Sequence, residues 1–269
     1  MAVPIEARAR AKVNLTLHVT GQRADGYHLL DSLVVFADIA DRLTCVPTQE
    51  MSLTVDGAFA SGVPTDSRNL AWRAAELANT PCHISLEKNV PHGAGLGGGS
   101  ADAAAVLRAF DRRDLATQLG ADVPVCLSDA PQRMRGIGER LQRLDTVPGF
   151  ALVLVNPDIH LPTADVFRAL AHKSGSPMDA LPGRPGEDWT DWLRRQRNDL
   201  QDAAQGLAPE IGEVLGALKN AKLARMTGSG STCFGLYPDL AQARQAEAEI
   251  SQIHPNWWVR ATRTLGSVN

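Results

Sequence analysis

From Lys12 to Val19 the chain alternates strictly: Val13, Leu15, Leu17 and Val19 fall on one side, Lys12, Asn14, Thr16 and His18 on the other. A period of two is the signature of a half-buried strand, so the apolar set faces a core and the polar set reads as a solvated face. Thr20-Gly21 closes this run, and Asp25-Gly26 is a turn that delivers Tyr27 and His28 to the start of a strand-like run over 29–39. Residues 42–46, 51–55 and 83–86 predict further strands, and 69–79 a helix behind an Asp66/Ser67 cap. Residues 150–155 are apolar without a break, the mark of a strand covered on both faces. Helices are predicted over 114–119, 163–169, 211–220 and 241–253, a long loop over 174–187, and strands over 224–226, 232–237 and 257–264. The C-terminal order of helix, strand, strand, helix and strand is compatible with a split βαβ layer. The pattern changes near Pro148, which divides the chain into 1–147 and 148–269.

One stretch fits neither period: Pro91, His92, Gly93, Ala94, Gly95, Leu96, Gly97, Gly98, Gly99, Ser100 and Ala101. Glycine costs backbone entropy and belongs where φ is positive or where another group must come close. Here the glycines run into an alanine-rich helix predicted over 101–110, with Ser100 as its N-cap. Open N–H groups and the positive end of the helix dipole then converge, which makes a phosphate cradle. No lysine follows the glycines, so the P-loop pattern fails. Gly93, Gly95 and Gly98 match a dinucleotide fingerprint, but residues 85–91 are half polar and end in proline, a poor first strand for a βαβ unit. A nucleotide-dependent oxidoreductase is therefore the rival from another class.

Composition narrows the partners. A net charge of -3 and a pI near 6.2 provide no general basic field for nucleic acid, and 5% aromatics offer no base-stacking surface. The four cysteines show no C-x-x-C pair and read as small buried residues in a reducing compartment. No H-x-x-x-H spacing points to zinc, residues 1–10 contain no apolar leader, and no run is long enough to span a membrane. The expectation is a soluble, cytoplasmic protein with small-molecule partners.

Four smaller features remain. In Gly120-Ala121-Asp122-Val123-Pro124, the proline holds Val123 extended, so Asp122 sits on a stiff turn, where capping is the plain alternative. Gly136-Ile137-Gly138-Glu139 is a second glycine turn. Thr227-Gly228-Ser229-Gly230-Ser231 is either a polar hairpin loop or a nest of N–H groups for an anion. Tyr27 and His28 either cover a sheet edge or stack on and hydrogen-bond a planar ligand.

Taken in order, residues 11–15, 91–105, 120–124 and 226–233 resemble the GHMP kinase family. The resemblance implies a two-domain α+β fold: an N-terminal α/β domain carrying the glycine loop, a ferredoxin-like C-terminal domain, and an active site in the interdomain cleft. It implies ATP held by Pro91 to Ala101, with Asp122 taking the proton of an attacking hydroxyl and Lys12 pairing with Asp122. Ala24-Asp25-Gly26-Tyr27-His28 looks like a cytidine-reading segment within the family, which implies phosphorylation of the 2-hydroxyl of a CDP-linked methylerythritol. Tyr27 and Phe167 would then sandwich the cytosine. His28 and Asn14 would bond polar groups of the substrate, Ile137 would line its pocket, and Thr227, Gly228, Ser229 and Gly230 would close over the phosphate and erythritol region. A related kinase acting on mevalonate or homoserine is the alternative. Where the family often has Ser and Asn, this chain has Ala101 and Asp102, and the acid adds negative charge near the phosphates. Residues 110–120 are short for the family. No carboxylate is identified for Mg²⁺; Ser100 offers a hydroxyl, with ATP and water supplying the rest. The assembly state expected is a monomer or weak homodimer.

Overall fold

A computed structural model describes residues 3–183 and 187–267, so residues 184–186 of the 174–187 loop, with 1–2 and 268–269, lie outside the description. In chain order the strands are β1 (Ile5–Asn14), β2 (His18–Gln22), β3 (His28–Pro47), β4 (Ser52–Asp56), β5 (Cys82–Glu87), β6 (Gln132–Gly136), β7 (Arg140–Arg143), β8 (Ala151–Asn156), β9 (Leu223–Met226), β10 (Cys233–Tyr237) and β11 (Trp258–Arg263). The helices are α1 (Leu70–Leu77), α2 (Gly98–Ala109), α3 (Thr163–Ala169), α4 (Trp189–Arg195), α5 (Gln201–Leu207), α6 (Glu210–Ala217) and α7 (Leu240–Ile253). The chain sorts into two compact units, one of Met1–Lys12, Asp38–His92 and Leu96–Asp129, the other of Val13–Ala37, Gly93–Gly95 and Ala130–Asn269.

In the first unit the far half of β3 pairs antiparallel with β5, Cys45 opposite Ile84, and β5 pairs parallel with β4, Leu53 opposite Ile84. Helices α1 and α2 pack on one another through buried alanines: Ala71, Ala74 and Ala75 on α1, and Ala101 and Ala103 to Ala105 on α2. Small side chains let the two axes come close. Residues 113–118, expected as a helix over 114–119, form a 3₁₀ turn.

In the second unit the near half of β3 pairs with β2 and β6, and β6 with β7, all antiparallel. A separate antiparallel sheet runs β11-β8-β10-β9. Its β8–β11 core, with α7 between β10 and β11, is the split layer read from the sequence. Val153, Val155, Ile211, Val214, Met226 and Ile250 form its packed interior, and Leu17 and Val19 are buried in the same cluster.

Five expectations need correction. Residues 12–19 are not one strand: β1 ends at Asn14 and β2 starts at His18. Nor is their polar face solvated, since Lys12, Asn14, Thr16 and His18 are all at most 4% exposed, each with a hydrogen-bond partner. The runs at 29–39 and 42–46 are one strand, β3; its apparent break is Asp41, fully buried on an ammonium. Helix α1 is capped by Asn69, whose side chain accepts the Ala71 N–H at 2.9 Å, while Asp66 bonds Arg68. Helix α2 starts at Gly98 with Gly97 as N-cap, so Ser100 lies inside the first turn. All four cysteines are buried free thiols.

Candidate active site

Gly97 adopts φ +68°, a conformation that opens α2 without any side-chain cap. The first N–H groups of α2 therefore have no acceptor inside the helix, and the dipole places positive potential at the same end. Lys12 lies directly under this turn. Its N–H donates to the Leu96 carbonyl at 2.9 Å, and a Cβ on Gly97 would stand 3.2 Å from Lys12 Cε.

Lys12 Nζ donates to Asp122 Oδ2 at 2.8 Å. The Lys12 side chain is 5% exposed and that of Asp122 46%. Burial works to lower the Lys12 pKa, but the charge of Asp122 and the hydrogen bond to it outweigh burial and hold the ammonium above its ordinary value. The pair is a fixed cation beside a carboxylate that solvent or substrate can reach.

A second buried lysine lies at the root of the loop. Lys88 Nζ donates to Asp41 and, at 2.8 Å, to Asp102 Oδ2. Asp41 Oδ1 in turn accepts the N–H of Asn89 at 2.6 Å and of Val90 at 2.8 Å. Asp102 therefore does not add a free negative charge near the phosphates, as its sequence position suggested. It turns inward and spends its charge on Lys88. Burial pushes its carboxyl up to about 7, with Lys88 opposing the rise and Asp41 adding to it.

The second unit holds the other group of predicted residues. The Asn14 N–H donates to Thr227 Oγ1 and Asn14 Nδ2 to Ser32 Oγ, both at 2.8 Å, while Asn14 Oδ1 is buried without a partner. Asn198 Nδ2 bridges the Met226 and Gly228 carbonyls at 2.7 and 2.9 Å, and Ser229 Oγ meets Thr163 Oγ1 at 2.8 Å. A Cβ on Gly95 would fall 2.6 Å from the Thr227 carbonyl and 2.8 Å from that of Gly230, so only glycine fits. Residues 227–231 link β9 and β10 as a hairpin loop whose Gly230 N–H is used internally, on the Thr227 carbonyl.

His28 stacks on Phe167, with ring centroids 4.9 Å apart and planes 23° from parallel. Burial, then the charge of Lys173, lowers the His28 pKa, and its Nε2 is buried with no partner. Tyr27 is 59% exposed, so the aromatic pair brought together is His28 with Phe167. Leu30 pairs with Gly136, which sets the Ile137 turn beside the start of β3.

The sequence reading missed Lys88, Asp41 and Arg225. Arg225 donates to the Leu15, Leu193 and Gln196 carbonyls at 2.8, 2.9 and 2.6 Å, and burial pulls its pKa down to about 10. Only Arg225 carried a signal, a charge inside the strand-like run 224–226, which is costly in a core unless paired; Asp41 falls between two such runs and Lys88 beyond the end of another.

Two family models match. The GHMP kinases N terminal domain covers residues 69–128 and the GHMP kinases C terminal covers 186–256. The chain belongs to the GHMP kinase family. Within it, the chain is 51% identical to the 4-diphosphocytidyl-2-C-methyl-D-erythritol kinase of Paracoccus denitrificans, over 97% of each chain. It is also 51% identical to the enzyme of the same name from Dinoroseobacter shibae, over 96% of this chain and 94% of that one. A crystal structure of 4-(cytidine 5'-diphospho)-2C-methyl-D-erythritol kinase superposes with a TM-score of 0.75 at 37% identity, covering 97% of this chain and all of the other. Homoserine kinase from Cytophaga hutchinsonii, at 15% identity and a TM-score of 0.66, shares the fold.

Proposed function

We propose that this chain transfers the γ-phosphoryl group of ATP to the 2-hydroxyl of 4-diphosphocytidyl-2-C-methyl-D-erythritol, giving the 2-phosphate and ADP, in the non-mevalonate route to isopentenyl diphosphate. The observation that carries the reading is the Lys12–Asp122 pair packed under the glycine turn. Asp122 accepts the hydroxyl proton as the new O–P bond forms and the bond from Pγ to the bridging oxygen breaks. Lys12 orients Asp122 through their hydrogen bond and balances charge as the phosphoryl group moves. Residues 91–101 hold the ATP phosphates through N–H groups and the α2 dipole. The orphaned Nε2 of His28 and Oδ1 of Asn14 suit a substrate rich in polar edges, and the ring of Phe167 suits a cytosine face, with Tyr27 free to cover the other. Ile137 lines the same pocket, and residues 227–230 close over the phosphate and erythritol region.

Mg²⁺ belongs to the same proposal. Among the described residues no cluster of three His, Cys, Asp or Glu side chains could hold a metal ion. The Ser100 hydroxyl is the protein's contribution, and the ion, when bound with ATP, neutralises phosphate charge. Residues 1–147 and 148–269 carry the N- and C-terminal parts of the family architecture. A cytoplasmic location, a monomer or weak homodimer, and partners limited to small molecules complete the proposal; among the described residues no helix is long and apolar enough to cross a membrane.

The test is ADP release with ATP, Mg²⁺ and the CDP-linked substrate, for the native chain and Asp122→Asn. The native chain turns over and the variant falls about 10²–10⁴-fold with ATP binding kept. Turnover that survives in the variant removes the base. A native chain that binds ATP but ignores this substrate, while phosphorylating mevalonate or homoserine, replaces the substrate assignment.

A further inference from the structure

We infer that Lys88 is a positioning residue for ATP: gripped by Asp41 and Asp102, its ammonium clamps the two ends of the glycine loop and sets the spacing of the N–H groups that meet the phosphates. The inference rests on the kinase reading above.

The loop departs from Lys88-Asn89-Val90 and returns at Gly98, the first residue of α2. On the departing side, Asp41 holds the Asn89 and Val90 N–H groups through one oxygen and Lys88 through the other. On the returning side, Asp102, one turn into α2, accepts from the same ammonium. A Cβ on Gly98 would lie 3.5 Å from Lys88 Nζ, so the charge sits directly beneath the start of the helix. The side chains of Lys88, Asp41 and Asp102 are 1%, 0% and 4% exposed, which makes this an internal fixture and not a surface ion pair.

Stability alone does not account for three buried charges, because well-packed apolar residues often hold a core as well or better. A directional network does something apolar packing cannot. Glycine carries no side chain to fix its own conformation, so a glycine loop takes its shape from what anchors its ends. The clamp supplies both anchors from one atom.

The experiment measures steady-state kinetics and ADP affinity, by calorimetry, on the full chain carrying Asp102→Ala, Asp102→Asn, Lys88→Met or Lys88→Arg, with circular dichroism to confirm folding. Asp102→Ala cuts the returning anchor: KM for ATP and the ADP dissociation constant rise at least about tenfold, while KM for the phosphoryl acceptor stays within about twofold. Asp102→Asn keeps an acceptor and restores nucleotide binding to within about threefold of native. Lys88→Met loses at least as much as the alanine variant. Should alanine and methionine fail to fold, Lys88→Arg decides, its displaced head weakening ADP about fivefold or more. A folded Asp102→Ala, Lys88→Met or Lys88→Arg chain that binds ADP within twofold of native overturns the inference, as does an equal loss in Asp102→Asn. A native chain that binds ADP but does not phosphorylate the CDP-linked substrate overturns the substrate assignment alone, and the binding ratios still decide the clamp. A native chain that binds neither nucleotide overturns both.

Discussion

Almost all of the Lys12 side chain is covered, whereas nearly half of its partner Asp122 is open. The asymmetry suits the proposed roles: the charge that would stay in place is buried, and the group that would exchange a proton reaches solvent. Because the folded-state pKa of Lys12 is raised, its contribution to stability is complete below the ordinary lysine value and is lost only as pH rises through the higher folded value. The pH–rate profile of the native enzyme therefore shows no alkaline limb from Lys12 below about pH 10. Lys12→Met leaves a carboxylate that water can solvate, so the fold survives. Its kcat falls about 10²–10³-fold, the usual cost of removing a preorganised charge at a reacting centre. Steady-state rates across pH for the two proteins check both statements, and a methionine variant within tenfold of native removes Lys12 from the mechanism.

At the scale of elements, the starts of α1 and α2 make a contrast. Asn69 closes α1 with a side-chain bond, whereas α2 opens on Gly97 with none. Asn69→Ala lowers stability by about 1 kcal/mol and leaves KM for ATP unchanged. Gly97→Ala costs a similar amount through its positive φ, about 1–2 kcal/mol, and also drives a methyl against Lys12, so KM for ATP rises and kcat falls. Thermal melts beside ATP titrations separate the two. The same contrast explains what the sequence made legible. The glycine run marked where α2 opens on Gly97 without a side-chain cap, and apolar periodicity located β8, α3, α7 and the β9–β10 pair within a residue or two. Periodicity carries no information about which polar side chains meet. Lys12, Asn14, Thr16 and His18 read as solvated because an alternating polar face usually is, and only tertiary contacts from residues 31–33, 122 and 176–178 cover them. Asp41 and Lys88 were invisible for the same reason. Asp41 looks like a break between two strands, and Lys88 like a polar residue past the end of another, until one is brought beside the other.

For the whole molecule, the compact units are not consecutive halves of the chain. The second unit takes in Val13–Ala37 and Gly93–Gly95 along with everything from Ala130 onward. Leu17 and Val19 are buried among residues of β8, α5, α6 and β9. The Leu17 N–H donates to the Arg197 carbonyl at 2.9 Å, the Asp199 N–H to the Leu17 carbonyl at 2.8 Å, and the Val19 N–H to Asp199 Oδ2 at 2.7 Å. The buried guanidinium of Arg225 spends one of its donors on the Leu15 carbonyl. A fragment beginning at residue 148 loses all of these at once. Leu17 and Val19 leave its core, the leucine alone worth about 2–5 kcal/mol when cut to alanine in place, and a buried cation loses an acceptor. That sum is comparable to the whole stability of a domain, about 5–15 kcal/mol. Residues 148–269 expressed alone are therefore expected to show helical far-ultraviolet circular dichroism without a cooperative melt, while Leu17→Ala in the full chain melts cooperatively at a lower temperature. A fragment that melts cooperatively would establish 148–269 as an autonomous domain and reduce residues 13–37 to a covering strand pair. The expected failure would instead mean that residues 13–37 and the C-terminal sheet fold as one event, because Leu17 and Val19 lie inside the core of the second unit.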